Sequence, residues 1–98
     1  MILEWNPKAR EDRRGFLLHI GQSSLPAAFK HDATIEFKAE LLLNPLTSYK
    51  AGRVPGTYEP VVSKRYVLVY RVKGEVVEIL RVLHTSQAMP ASLEEMLN

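Results

Sequence analysis

The sequence predicts an α+β domain in which an N-terminal helical hairpin packs on a small, mainly antiparallel β-sheet. Three observations carry that prediction. Two segments in the first half place apolar residues at helical spacing, and each opens on a capping residue and a proline. Three segments in the second half, 57–62, 65–72 and 75–84, are rich in Val, Ile and Tyr and are separated by two-residue breaks. No repeat or low-complexity stretch interrupts either half. A chain of 98 residues is long enough to close one core without staples, so a single domain over residues 1–98 is expected.

The elements follow in order. Residues 2–5 form a short apolar start suited to an edge strand. Asn6 and Pro7 then read as an N-cap with proline at the first helical position, opening a helix over 7–21. Glu11 and Asp12 lie early in it, where the helix dipole favours acids. Ala9, Phe16, Leu17 and Ile20 mark its apolar stripe, and Gly21 is the stop. Its charged face, Lys8, Arg10, Asp12 and Arg14, is expected to meet water. A second helix over 24–43 starts at Ser23 or Ser24 with Pro26 in its first turn. Phe29, Ala33, Phe37 and Leu41 recur every four residues, with Ile35, Ala39 and Leu42 widening the stripe. Asn44-Pro45 ends it, because proline disfavours helix at the preceding residue. The short link between the helices implies an antiparallel pair.

A loop from Leu46 to Gly52 leads to the strands. Ser63-Lys64 and Lys73-Gly74 are the two turns, giving an antiparallel meander. Pro60 has no N–H for a ladder, so its strand belongs at an edge or at a bulge. A short helix over 92–97, capped by Ser92, closes the chain. With Lys73-Gly74 as the turn, Tyr70 falls opposite Val77 and Tyr66 opposite Arg81. Tyr66, Leu68, Tyr70, Val77, Ile79 and Leu83 then share the face that packs on the helices. Arg65, Val67, Val69, Arg71, Glu78, Leu80, Val82 and His84 share the other, with Tyr58 beside Val69. That second face is expected to be a working surface of charged groups over an apolar floor. Arg81 on the core face is out of place and points to a bulge.

Composition narrows the function. There is no cysteine, which excludes disulfides and thiolate metal sites. The start MILEWNPKAR lacks the pattern of a signal peptide, and no stretch is apolar for the length of a membrane span, so a cytoplasmic protein with no membrane partner is expected. The net charge of +2 is unevenly distributed. Residues 1–49 balance six basic against six acidic, whereas 50–84 hold seven basic and three acidic, a net of +4. Arg53, Lys64, Arg65, Arg71 and Arg81 therefore form the expected surface for an anionic partner.

Site chemistry is sparser. His84 at a strand end is of the one residue type whose reference pKa lies near neutrality, which suits a general acid or base. Arg65 offers a planar fork for phosphate, and Tyr58 a ring on which a base stacks. Together they match the needs of a metal-independent ribonuclease, with no metal and no cofactor. His19 and His31 lie on separate helices without ligand spacing and read as surface or boundary residues. No glycine-rich phosphate loop or nucleophile elbow is present.

The order and spacing of Trp5, the helical hairpin, GRVPGTYE (residues 52–59), YVLVYRV (66–72), VEILRVLH (77–84) and Pro90 resemble the RelE/ParE toxin superfamily over nearly the whole chain. The resemblance implies the toxin of a type II toxin–antitoxin module, with two helices on a small antiparallel sheet. It also implies a cognate antitoxin that wraps the toxin, and operator DNA bound through the antitoxin complex. RelE-like members cut mRNA on the ribosome and ParE-like members poison DNA gyrase. RelE itself carries lysines on the strand matching residues 58–62 and an arginine after the tyrosine matching Tyr66. Glu59, Val61 and Val67 stand in those places here, which favours the gyrase poison. Other ribonuclease members rely on a C-terminal histidine, and His84 keeps that alternative open. Related sequences often carry arginine where Tyr58 stands, so an inactive protein that retains antitoxin binding is a third alternative.

Overall fold

The structure, a computed structural model, describes residues 1–44 and 49–97. Strand β1 (Ile2–Trp5) runs into helix α1 (Pro7–Gly21), which turns back through helix α2 (Leu25–Leu41). Strands β2 (Tyr66–Lys73) and β3 (Val76–His84) follow, and a short helix α3 (Ser92–Met96) closes the chain. The three strands form one mixed sheet in the order β1-β3-β2, with β1 parallel and β2 antiparallel to the central β3.

Local chemistry sets the helix starts. The Asn6 side chain accepts a hydrogen bond from the Lys8 N–H at 3.0 Å, and its Nδ2 donates to Glu78 at 3.2 Å, fixing the cap to the sheet. Ser24 caps α2 by accepting from the Ala27 N–H at 3.2 Å. Helix α2 ends at Leu41, two residues before the expected end, and residues 45–48 of the expected stop and loop lie outside the described residues. Between the helices, Arg13 forks onto Asp32 with two 2.9 Å bonds and lies 4.5 Å over the Trp5 ring.

The meander needs correction at its first strand. Residues 57–62 form no regular strand; they bridge β2 only at Tyr58–Tyr70 and Val61–Val67. Tyr58 and Tyr70 exchange both backbone bonds and the Leu68 N–H reaches the Pro60 carbonyl, but Pro60 has no N–H to return. Its ladder is broken there, and the segment runs along β2 as an irregular edge.

The register also differs from the expected one. The hairpin turn is Gly74-Glu75, between the paired residues Lys73 and Val76, with Gly74 at φ +60° as a tight turn requires. Tyr70 therefore lies opposite Ile79 rather than Val77. A second shift follows, because Val69 pairs with Arg81 and leaves Leu80 as the extra residue of a β-bulge. Tyr66 then pairs with His84, not with Arg81. Beyond the bulge the side-chain parity of β3 is inverted relative to the sequence reading. Val82 joins Tyr66, Leu68, Tyr70, Val77 and Ile79 under the helices, and Leu83 goes to the opposite side.

That opposite side is a second core, not the working surface expected of it. Val67, Val69, Leu80 and Leu83 are covered by Val54 and Leu93, with Met89, Met96 and Leu97 packed around them. Residues after β3 fold back to do this, held by the Thr85 N–H on the Arg65 carbonyl at 2.7 Å and by Arg71 on the Leu97 carbonyl at 3.2 Å.

Two further expectations reverse on the helices. Helix α2 buries Ala28, Ile35 and Ala39, with Leu42 buried just past its end, whereas Phe29, Ala33, Phe37 and Leu41 face outward. Spacing by four overshoots the 3.6-residue turn, so that row winds off the buried face, while two alanines let the helix sit close to the sheet. Asp12, expected in water, accepts two bonds from the Arg81 guanidinium, at 2.8 and 2.9 Å, and one from the Val82 N–H at 2.9 Å. Strand β1 accompanies β3 only as far as Trp5 opposite Ile79. The Asp12 carboxylate then takes the place of the missing strand at the edge of β3.

Asp12→Ala leaves a guanidinium that is 14% exposed without its partner and frees a backbone donor. A loss of about 2–4 kcal/mol is expected by urea unfolding, since removing one member of a largely buried pair exposes the full desolvation cost of the other. A loss below about 0.5 kcal/mol would show that the pair does not hold the bulge.

Candidate functional site

The open end of the sheet beneath the helical hairpin carries a concavity of about 500 Å³. Its floor is Tyr66, whose ring is the hub of an aromatic cluster. Phe16 lies 4.5 Å from it, His31 meets it edge-on at 5.6 Å, and His84 meets it edge-on at 5.7 Å. His19 and Ser23 from the end of α1, Ser24 from the start of α2, and Arg65 complete the polar rim. His84 enters this cavity because the bulge turned it to the helix side, where it pairs across the ladder with Tyr66.

The histidine is oriented locally. The Ser86 N–H donates to its Nδ1 at 3.1 Å and the Ser86 hydroxyl lies 2.7 Å away, so the neutral ring carries its proton on Nε2. Arg65 is held by its backbone: its N–H donates to Ser63 Oγ at 3.2 Å and its carbonyl accepts from Thr85. Lys64, next to it, accepts from the Thr85 hydroxyl at 3.1 Å through its carbonyl. Both cationic side chains are exposed, and neither has an ion-pair partner among the described residues.

The other expected basic groups are engaged within the fold. Arg53 pairs with Glu59 through Nε at 2.9 Å and Nη2 at 2.8 Å, and reaches the Gln87 carbonyl at 3.3 Å. Arg71 pairs with Glu78 at 2.8 Å. Arg81 is held on Asp12, whose hydrogen bonds push the guanidinium pKa up and outweigh the effect of burial. These arginines stitch elements together and present little free charge. Lys64 and Arg65 remain as the exposed members of the expected set without an ion-pair partner among the described residues.

Tyr58 is not with His84 and Arg65. It stacks on Tyr70 with centroids 5.2 Å apart, and Tyr49 meets Tyr70 edge-on from the other direction. Burial, with Tyr58 and Tyr49 adjoining, pushes the Tyr70 hydroxyl up. Tyr70 lies four residues along β2 from Tyr66, about 13 Å at strand rise, so the structure brings Arg65 and His84 together and leaves Tyr58 out. Sequence reasoning passed over His19, Phe16 and Ser23 at this cavity. The signal was the fold itself, since the α1–α2 turn and the Tyr66 end of β2 share one end of the domain. No group of histidines and carboxylates suited to a metal occurs among the described residues.

A family model described as the ParE toxin of type II toxin–antitoxin system, parDE, matches residues 3–89. The chain belongs to the ParE toxin family. Among solved structures, the fold of this toxin is similar to one from the chromosomal ParDE system of P. aeruginosa, with TM-score 0.78 and 25% identity over 86% of this chain and 95% of that one. A chain of the YoeB–YefM complex from Staphylococcus aureus aligns with TM-score 0.59 and 18% identity, over 85% of this chain and 94% of that one. The YoeB/ParE toxin from Agrobacterium tumefaciens aligns with TM-score 0.57 and 16% identity, over 86% and 98%. Comparison with curated proteins gives no match. No helix among the described residues is long and apolar enough to cross a membrane.

The Arg53–Glu59 pair makes a pH prediction. Burial pushes the Glu59 carboxyl up, but the side-chain and backbone hydrogen bonds from Arg53 outweigh it and hold the pKa below the ordinary value. A depressed pKa adds stability above the unfolded value, and that stability is lost as pH falls through the folded one. The wild type should exceed Glu59→Gln by about 1–2 kcal/mol at pH 7, less than the roughly 1.5–3 kcal/mol of a buried hydrogen bond to a charged group because the Arg53 side chain is partly exposed. The difference should shrink toward zero in acid below pH 4.5. A difference that stays constant from pH 7 into acid would contradict the assignment. Gly52 belongs to the same site, because a Cβ there would meet Thr57 Oγ1 at 2.6 Å and Glu59 Oε2 at 2.9 Å.

Proposed function

We propose that this ParE-family toxin arrests growth by binding and poisoning DNA gyrase, and that it acts in the cytoplasm when free of a cognate antitoxin. The observation that carries the reading is that Tyr58 lies apart from Arg65 and His84 and that three of the expected anion-binding arginines are paired internally. Tyr58 is packed on Tyr70, and Arg53, Arg71 and Arg81 are engaged in internal ion pairs. Strand cleavage needs an acid, a base and phosphate ligands converging within hydrogen-bond reach. A poison needs a rigid complementary surface, and the two-sided core supplies a rigid scaffold. Membership of the ParE family and the similarity to a ParDE toxin support the same direction. Those relationships also support the antitoxin as a partner, with operator DNA contacted through the antitoxin complex.

A second reading rests on one observation. Arg65 and His84 line the same cavity, with Nε2 of His84 as its proton-bearing nitrogen. With the ribosome positioning mRNA, that pair supplies an acid–base group and a phosphate ligand.

The two readings separate cleanly. Purified toxin at a few-fold excess over gyrase should abolish supercoiling of relaxed plasmid, and His84→Ala should retain inhibition within about threefold. Unimpaired supercoiling together with cleaved mRNA in arrested cells, lost in His84→Ala, would replace the gyrase reading with the ribonuclease one. Absence of any arrest on expression without antitoxin would contradict both.

A further inference from the structure

Beyond β3 the chain turns at residues 84–87, where the Gln87 N–H donates to the His84 carbonyl at 2.9 Å, and then crosses the second face of the sheet. It ends in α3, five residues long and without a side-chain cap. A helix this short is not stable by itself, so packing sets its place. Leu93 is fully buried, and Met89, Met96 and Leu97 pack around it on the apolar cluster of Val67, Val69, Leu80 and Leu83. Two backbone carbonyls add polar ties, Leu97 to Arg71 at 3.2 Å and Gln87 to Arg53 at 3.3 Å. Residues 88–97 thus form a strap in which two of the four apolar anchors are methionines.

We propose that Met89 and Met96 are a paired oxidation site through which a peroxide releases the strap. The chain has no cysteine, so its three thioethers are the only sulfur it offers an oxidant. Met1 is 55% exposed and belongs to neither core cluster. Met89 and Met96 are half-buried, so each side chain is partly open to a small oxidant while it still holds apolar contacts. In the reaction a sulfur lone pair attacks one peroxide oxygen and the O–O bond breaks. The sulfur keeps that oxygen and is oxidised by two electrons, and with hydrogen peroxide the other oxygen leaves as water. The product is a polar sulfoxide, which loses its hydrogen bonds to water if it stays packed on Val and Leu side chains.

Both methionines act on one anchor. Met89 lies four residues before Leu93 and Met96 three residues after it, so oxidation of both flanks Leu93 with polar groups on each side. Release of the strap uncovers Leu80 and Leu83, both fully buried in the native fold. It stops at the turn, because Thr85 ties that turn separately, through its N–H to the Arg65 carbonyl at 2.7 Å and its hydroxyl to the Lys64 carbonyl at 3.1 Å. His84 and the helix-side core keep their places. Reduction of the sulfoxides returns the thioethers, so the switch is reversible. It is independent of the target proposed above.

The test treats full-length toxin with hydrogen peroxide, locates sulfoxides by mass spectrometry and follows amide hydrogen exchange. Sulfoxides at Met89 and Met96 are expected, with exchange at least about tenfold faster at Leu93 and Leu97. Their N–H groups are held by the Pro90 and Glu94 carbonyls at 3.1 and 3.2 Å. Amides of β2 and β3 should stay within about threefold of the untreated toxin, and methionine sulfoxide reductases should restore the strap. Met89→Leu/Met96→Leu, which nearly conserves volume, should keep its protection in peroxide and so separates thioether chemistry from general damage. Met1→Leu should respond as the wild type does. Unchanged exchange at Leu93 and Leu97 in the doubly oxidised toxin would overturn the proposal. So would faster exchange in the peroxide-treated double variant, oxidation of Met1 alone, or an equal loss of protection across β2 and β3.

Discussion

One carboxylate determines how the second half of this toxin is assembled. Strand β1 stops at Trp5, opposite Ile79, and from there that edge of β3 has no strand beside it among the described residues. Asp12, projecting from α1, accepts the Val82 N–H and the Arg81 guanidinium at that edge. A strand edge left with unmatched donors is costly when buried, and a helix carboxylate satisfies it without a fourth strand. The bulge at Leu80 is what delivers Arg81 and Val82 to Asp12 together. Helix, bulge and edge thus form one unit.

The consequences run to both faces of the sheet. Because β3 gains one residue, Val82 and His84 turn to the helices and Leu83 turns away. Leu83 and Leu80 then need cover, which the C-terminal segment provides through Leu93. His84 meets Tyr66 and Phe16 in a cavity instead of lying on an open surface, and Arg65 follows because Thr85 bonds its carbonyl. The sheet is therefore buried on both sides. Charges threaded through β2 and β3 act mainly as internal clamps, Arg71 on Glu78 and Arg81 on Asp12.

Local signals were legible and long-range ones were not. Asn6-Pro7 and Ser24 with Pro26 marked helix starts because capping is a matter of a few adjacent residues. The misplaced Arg81 announced the bulge from sequence alone. Its position at Leu80, and the turn at Gly74-Glu75, depend on tertiary contacts with Asp12 and β1, and two small register errors moved Tyr58, Val82 and His84 to wrong neighbours. The outward row on α2 misled for a different reason. Burial of a helix is decided by which face lets it approach, and Ala28 and Ala39 outweighed Phe29 and Phe37. An apolar stripe announces a contact without saying whether it lies inside the chain or outside it.

Methyl and aromatic NOEs in solution test the inverted side-chain parity of β3 beyond Leu80. Contacts are expected from Val82 methyls to the helix side of the core, from Leu83 methyls to Leu93, and from the His84 ring to Tyr66. Leu83 methyls contacting the helix-side cluster, with Val82 methyls against Leu93, would contradict it. An unbulged strand would then lie beneath Asp12, and His84 would return to the opposite face.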